Sequence, residues 1–128
     1  MDIKLNKKAN EGTWVVWKHN GQEARVLLRP LSRRASRTVL AGTVDVKGKK
    51  PLPNMRRFFE ESIEAQIIDW ENIRVDAGDG KGAVDFPCTP ENKRMLLEFD
   101  PFYDFVEAEL LKLRPQDTDE KDDAEKNS

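Results

Sequence analysis

Two Xaa-Pro pairs, Thr89-Pro90 and Asp100-Pro101, constrain this chain more than any other feature. Thr89 has an N-cap side chain. Pro90 falls at the first helical position, where its missing N–H costs nothing, and Glu91 faces the positive end of the helix dipole. The spacing predicts a short helix that carries Met95, Leu96 and Phe99 inward. Asp100 and Pro101 repeat the device, with Asp100 as cap and Asp104 adding negative charge to the first turn. Phe102, Phe105, Val106, Leu110 and Leu113 then recur at helical spacing and share one face. Two helices must meet at a sharp corner, and Trp70 and Ile73 from upstream are the apolar residues available to cover them.

The rest of the chain supplies partners for that corner. Thr13–Lys18 and Ala24–Leu28 are rich in strand-forming residues and flank Asn20-Gly21, the strongest short hairpin signal. Trp14 and Val16 share one face of the first strand, Val15 and Trp17 the other. A lone hairpin is marginal without support, so both tryptophans are expected to be at least half covered. Ser32 caps a short helix with Ala35, Val39 and Leu40 inward and Gly42 closing it. Thr43 to Pro53 reads as a linker without periodicity. Asn54 caps a longer helix through about Ile68, with Met55, Phe58, Phe59, Ile63 and Ile67 as its stripe and Glu60, Glu61 and Glu64 on its wet face. Trp70 to Val75 is extended, Asp76 to Gly82 is a loop, and Ala83 to Phe86 pairs back on Ile73–Val75 as a second short hairpin.

The predicted fold class is α+β: an N-terminal β-hairpin packed on a small bundle of about four helices, with that second hairpin and a disordered acidic C-terminal tail. Residues 1–11 are expected to be flexible, 12–114 to form a single domain, and 115–128 to be the tail. The tail has no large apolar residue and six acids, so burial cannot offset its ordering entropy.

Composition narrows function by exclusion. No apolar run approaches the ~20 residues of a membrane span, the N-terminus lacks a signal-peptide core, and one cysteine excludes an internal disulfide. The chain reads as cytoplasmic, without membrane contact. The single His19 falls in a turn and the single Cys88 before a helix start; nothing in the sequence brings them together as base and nucleophile. Gly78-Asp79-Gly80-Lys81-Gly82 lacks dinucleotide-loop spacing, and Asp76 and Asp79 lack the calcium-loop alternation. No catalytic, cofactor-binding or metal-binding residue is assigned, and the chain reads as a binding protein rather than an enzyme. Its net charge of −2 is unevenly spread. Residues 1–50 hold 12 Lys/Arg against 4 Asp/Glu, and residues 115–128 hold 2 against 6. Two surfaces are therefore candidates. One is the apolar edge of the last helix, Phe102, Val106, Leu110, Leu111 and Leu113, for a protein partner. The other is a basic patch, Arg25, Arg29, Arg33, Arg34 and Arg37, with Lys47, Lys49 and Lys50, for nucleic acid. An overall acidic balance and the absence of a recognition-helix pattern argue against the second.

Trp70-Glu71-Asn72-Ile73, the acidic Gly loop, Pro87-Cys88-Thr89-Pro90-Glu91-Asn92, Leu96-Leu97 and Pro101 occur in an order that resembles the tail assembly chaperones of long-tailed bacteriophages and prophages. The similarity covers about Phe58 to Leu113. It implies a protein that binds and solubilises the tape-measure protein during tail morphogenesis. It also implies weak sites in many copies, release as tail-tube subunits polymerise, and absence from the mature virion; self-association is left open by the oppositely charged halves, which can pair within one molecule or between two. A small nucleic-acid-binding or regulatory module, and a structural tail or head-completion protein, remain the alternatives.

Overall fold

The computed structural model describes residues 1–3, 11–47 and 50–113. The expectation for the tail therefore falls outside the described residues, and that for residues 1–11 mostly does. Within them the chain is α+β. Strands β1 (Thr13–His19) and β2 (Gln22–Leu28) form the expected hairpin, with Asn20 at φ 49° and Gly21 at φ 75°. Two successive positive φ values are the primed turn that matches strand twist.

Helix α1 (Arg33–Gly42) is capped by Ser32, whose hydroxyl accepts from the Ala35 amide. Its inward residues Ala35, Val39 and Leu40 are only half-buried, so α1 lies at the margin of the core. Gly42 does not close it. The cap is Thr43, fully buried, whose amide and hydroxyl both donate to the Leu40 carbonyl.

The expected linker is instead a hairpin, β3 (Val44–Lys47) with β4 (Lys50–Pro53). Two prolines in four residues of β4 disguise it; an isolated two-stranded ribbon tolerates proline because its outer side pairs with nothing. The Asn54 amide donates to the Thr43 carbonyl at 2.9 Å, tying the hairpin's two ends together.

Asn54 caps α2 (Met55–Gln66) through the Arg57 amide. This helix stops earlier than the apolar period suggests, and its buried face is turned. Ser62 and Gln66 are buried, Phe58 and Ile63 half-buried, and Met55 and Phe59 exposed. Gln66 explains both departures. Its carboxamide donates to the Ser62 carbonyl at 2.8 Å and accepts from the Leu31 amide at 3.3 Å, while its own carbonyl accepts from the Arg29 amide. These bonds fasten the end of α2 to the exit of β2, where the β-branched pair Ile67-Ile68 favours a strand.

That strand, β5 (Ile67–Glu71), adds to β2 to give the sheet order β1-β2-β5. Its register slips once: Leu27 faces Asp69 and Leu28 faces Ile67, leaving Ile68 as an extra residue. Three residues apart on a regular strand, Ile67 and Trp70 would point to opposite faces. The bulge puts both inside, at 0% and 6% exposure. Asn72, at φ 63°, turns the chain out of the sheet into β6 (Arg74–Asp76), which pairs with β7 (Ala83–Asp85) as the predicted second hairpin.

The Pro-opened helices follow: α3 (Pro90–Leu97), capped by Thr89 through the Asn92 amide, and α4 (Asp100–Leu113). Asp100 is the first residue of α4 rather than its cap; the Phe99 carbonyl accepts the first amides, from Phe102 and Tyr103. The inner sheet face (Ala24, Val26, Leu28, Ile67, Trp70) packs on Ile73, Leu96, Phe102, Val106 and Leu110 as one core. Each fully buried side chain of this size contributes about 1.5–3 kcal/mol.

Candidate docking groove

The residues that carry the sequence resemblance turn out to be the framework of the α3–α4 corner. The Trp70 indole N–H donates to the Phe86 carbonyl, and the two rings stack at 6.2 Å. Trp70 also meets Phe102 edge-on at 6.0 Å. Ile73 is buried, and the Asn72 carboxamide reaches back to the Glu23 carbonyl at 2.7 Å, pinning the turn onto the tip of the first hairpin. Asn92 donates to the Pro87 carbonyl at 2.9 Å, which holds the start of α3 against the segment before it. Leu96 is buried and Leu97 half-buried.

This framework leaves a groove open between the hairpin tip, β6 and the α3–α4 corner. It is lined chiefly by Trp17, His19, Ile73, Phe86, Met95 and Phe99 and has a volume of about 670 Å³. Met95 is 61% exposed and Phe99 44%. His19 stacks on Trp17 at 5.3 Å and meets Phe99 edge-on at 5.3 Å, so a ladder of rings runs up one wall. Polar groups on the rim (Asn20, Gln22, Glu23, Arg74 and Asp76) give it a mixed apolar and polar lining. Arg74 is held by the Ala83 carbonyl at 2.8 Å and by Asp85 at 3.8 Å.

A second groove, about 940 Å³, lies between α1, α2, α3 and the start of α4. Its walls carry paired charges, Arg57 with Glu61 at 2.9 Å and Arg94 with Glu64 at 3.3 Å. Tyr103 opens onto it, its hydroxyl pushed above the usual phenol range by burial and then by nearby Glu107.

The candidate residues from the sequence are distributed differently. Phe102, Val106 and Leu110 are core residues at 0%, 0% and 5% exposure and present no surface to a partner. Leu113 is half-buried against the same core, and Leu111 alone of the five is exposed, at 57%. The basic patch divides as well. Arg25 lies on the outer sheet face, over the Trp14 ring at 4.9 Å and paired with Glu71 at 3.4 Å. Arg33, Arg34 and Arg37 are exposed on α1. The side chains of Lys47, Lys49 and Lys50 fall outside the described residues.

His19 belongs to the ring ladder. Cys88 is half-buried, and burial pushes its thiol above the usual range, only partly offset by Lys93. A raised thiol is the opposite of an activated nucleophile. Among the described residues no cluster of three His, Cys, Asp or Glu is placed to hold a metal, and no helix is long and apolar enough to cross a membrane.

Met95 and Phe99 are the surface residues that helical periodicity misplaces, because it counts them inward with Leu96. The signal that could have found them is excess. On a helix of eight residues, Met95, Leu96 and Leu97 point in three successive directions, with Phe99 just beyond, more apolar surface than one face can bury. Compared with known proteins, the chain matches no protein-family model, no curated protein and no solved structure.

Proposed function

We propose that this protein is a phage or prophage tail assembly chaperone that binds and solubilises a tape-measure protein through non-covalent contacts in the α3–α4 groove. The carrying observation is the groove itself: Met95 and Phe99 are exposed beside Trp17 and Phe86, on a corner built by the residues of the family-like stretch. An amphipathic helix could lay one apolar ridge there while its polar side stays in water. A groove this size gives a weak single site. Weakness suits the task, because many copies along one long client hold it by avidity and polymerising tube subunits displace them one at a time. The protein acts without cofactor or metal, in the host cytoplasm, and leaves before the virion is complete.

Co-expression with the tape-measure protein tests this. The wild-type chain should keep the client soluble, and Met95→Ser with Phe99→Ser should lose that effect while remaining folded. Undiminished solubilisation by the folded double variant would remove the groove from the mechanism; failure of the wild type to solubilise the client would remove the function.

A further inference from the structure

The four helices α1 to α4 among the described residues do not treat their charges alike. Helix α3 has Glu91 in its first turn and Arg94 in its last, and α4 has Asp100 and Lys112, as the helix dipole favours. Helix α2 opens with Arg56 and Arg57, but Glu60 and Glu61, one turn on, neutralise both at 3.3 and 2.9 Å. Helix α1 does neither. It contains no acidic residue, and Arg33, Arg34 and Arg37 crowd its first half, all exposed. Among the described residues no carboxylate lies within ion-pair distance of these three, whereas Arg25, Arg56, Arg57, Arg74 and Arg94 each have one. Of the acids lining the neighbouring groove, Glu60 and Glu61 are engaged within α2 and Glu64 with Arg94, and Glu98 lies beyond ion-pair distance of the three arginines. An uncompensated triad of guanidinium groups is what a run of carboxylates would seek.

We propose that the arginine face of α1 is a docking surface for an acidic peptide, and that its occupant is the chain's own C-terminal segment, residues 115–128. That segment holds six carboxylates, Asp117, Asp119, Glu120, Asp122, Asp123 and Glu125, against two lysines. It begins two residues beyond Leu113, the last residue of α4. Fourteen residues reach up to about 45 Å when extended, more than the roughly 35 Å diameter of a domain this size. Running over the surface, a segment of that length covers most of the half-circumference of the domain, about 55 Å, measured from the end of α4. Exposed ion pairs are individually weak, but the tether holds the acids at about millimolar effective concentration. The contact is then populated at low salt and screened away at high salt. While the segment is in place, the face is closed to nucleic acid. This surface lies on a different helix from the proposed client groove and does not depend on that reading.

The test uses the full-length chain, in wild-type form and with the six acids changed to amides (Asp117→Asn, Asp119→Asn, Glu120→Gln, Asp122→Asn, Asp123→Asn, Glu125→Gln). Amide NMR spectra at about 20 mM and about 0.5 M salt read the contact. The Arg33–Leu40 signals should differ between the two proteins at low salt and coincide at high salt. A nitroxide on Ser128→Cys, in a Cys88→Ser background, should broaden the same amides in the chain that carries it. Identical low-salt spectra, or broadening only of isotope-labelled chains mixed with separate nitroxide-bearing ones, overturns the proposal. So does equally tight binding of a short DNA duplex by the wild-type and amide chains, which would make nucleic acid the occupant.

Discussion

Two apolar surfaces of this molecule, a few residues apart in sequence, have opposite fates. The inner stripe of α4 (Phe102, Val106, Leu110) is sealed under the sheet, whereas Met95 and Phe99 at the α3–α4 corner stand open. Their hydrophobicity does not distinguish them; their cover does. The sheet packs on the α4 stripe, whereas at the corner Phe99 meets the Trp17 and His19 rings and still stays 44% exposed. An apolar stripe names the face that avoids water. What covers it is decided by the rest of the fold, or by another molecule.

The sharpest way to break this contrast is Phe102→Ala. With its ring fully buried between Trp17 and Trp70, the substitution should cost about 3–5 kcal/mol in chemical denaturation. A loss below about 1 kcal/mol would mean that the α4 stripe is not the core. Trp70→Phe keeps a stacked ring but strands the Phe86 carbonyl without its indole donor, and should lose about 1–3 kcal/mol by the same measurement. On the open side, Met95→Ser should change stability by less than about 0.5 kcal/mol. Its effect belongs in client binding, and a large drop in melting temperature would place Met95 in the core after all. Ser62→Ala sharpens the picture from within. The buried hydroxyl has no hydrogen-bond partner among the described residues, so its removal should be neutral or stabilise by up to about 1 kcal/mol. The smallest effect concerns Cys88. Because burial raises its thiol, less thiolate is present at a given pH than for a free cysteine, and alkylation by iodoacetamide should be slower at pH 8 and accelerate only at higher pH.

Much of the fold was legible because its punctuation is local. Asn20-Gly21 announces the first hairpin, Ser32, Asn54 and Thr89 announce three helix starts, and the glycines after Asp76 announce the turn of the second. What escaped depends on distant partners. The β3–β4 hairpin has strands too short and too proline-rich to signal themselves. The end of α2 is set by Gln66 reaching Leu31, 35 residues away, which no window of periodicity contains. The candidate site failed for the same reason. Leu110 and Phe99 look alike in sequence, and only the sheet, arriving from the other end of the chain, buries one and leaves the other at the surface.

Ile68, the surplus residue in β5, gives this strand one residue more than its register with β2 requires. Loss of that one position would restore strict alternation, with Ile67 and Trp70 two residues apart and both still on the inner face. Point substitutions at Ile68, whose side chain is 36% exposed, should pass almost unnoticed. In any set of natural variants, this site should therefore be free both in identity and in presence.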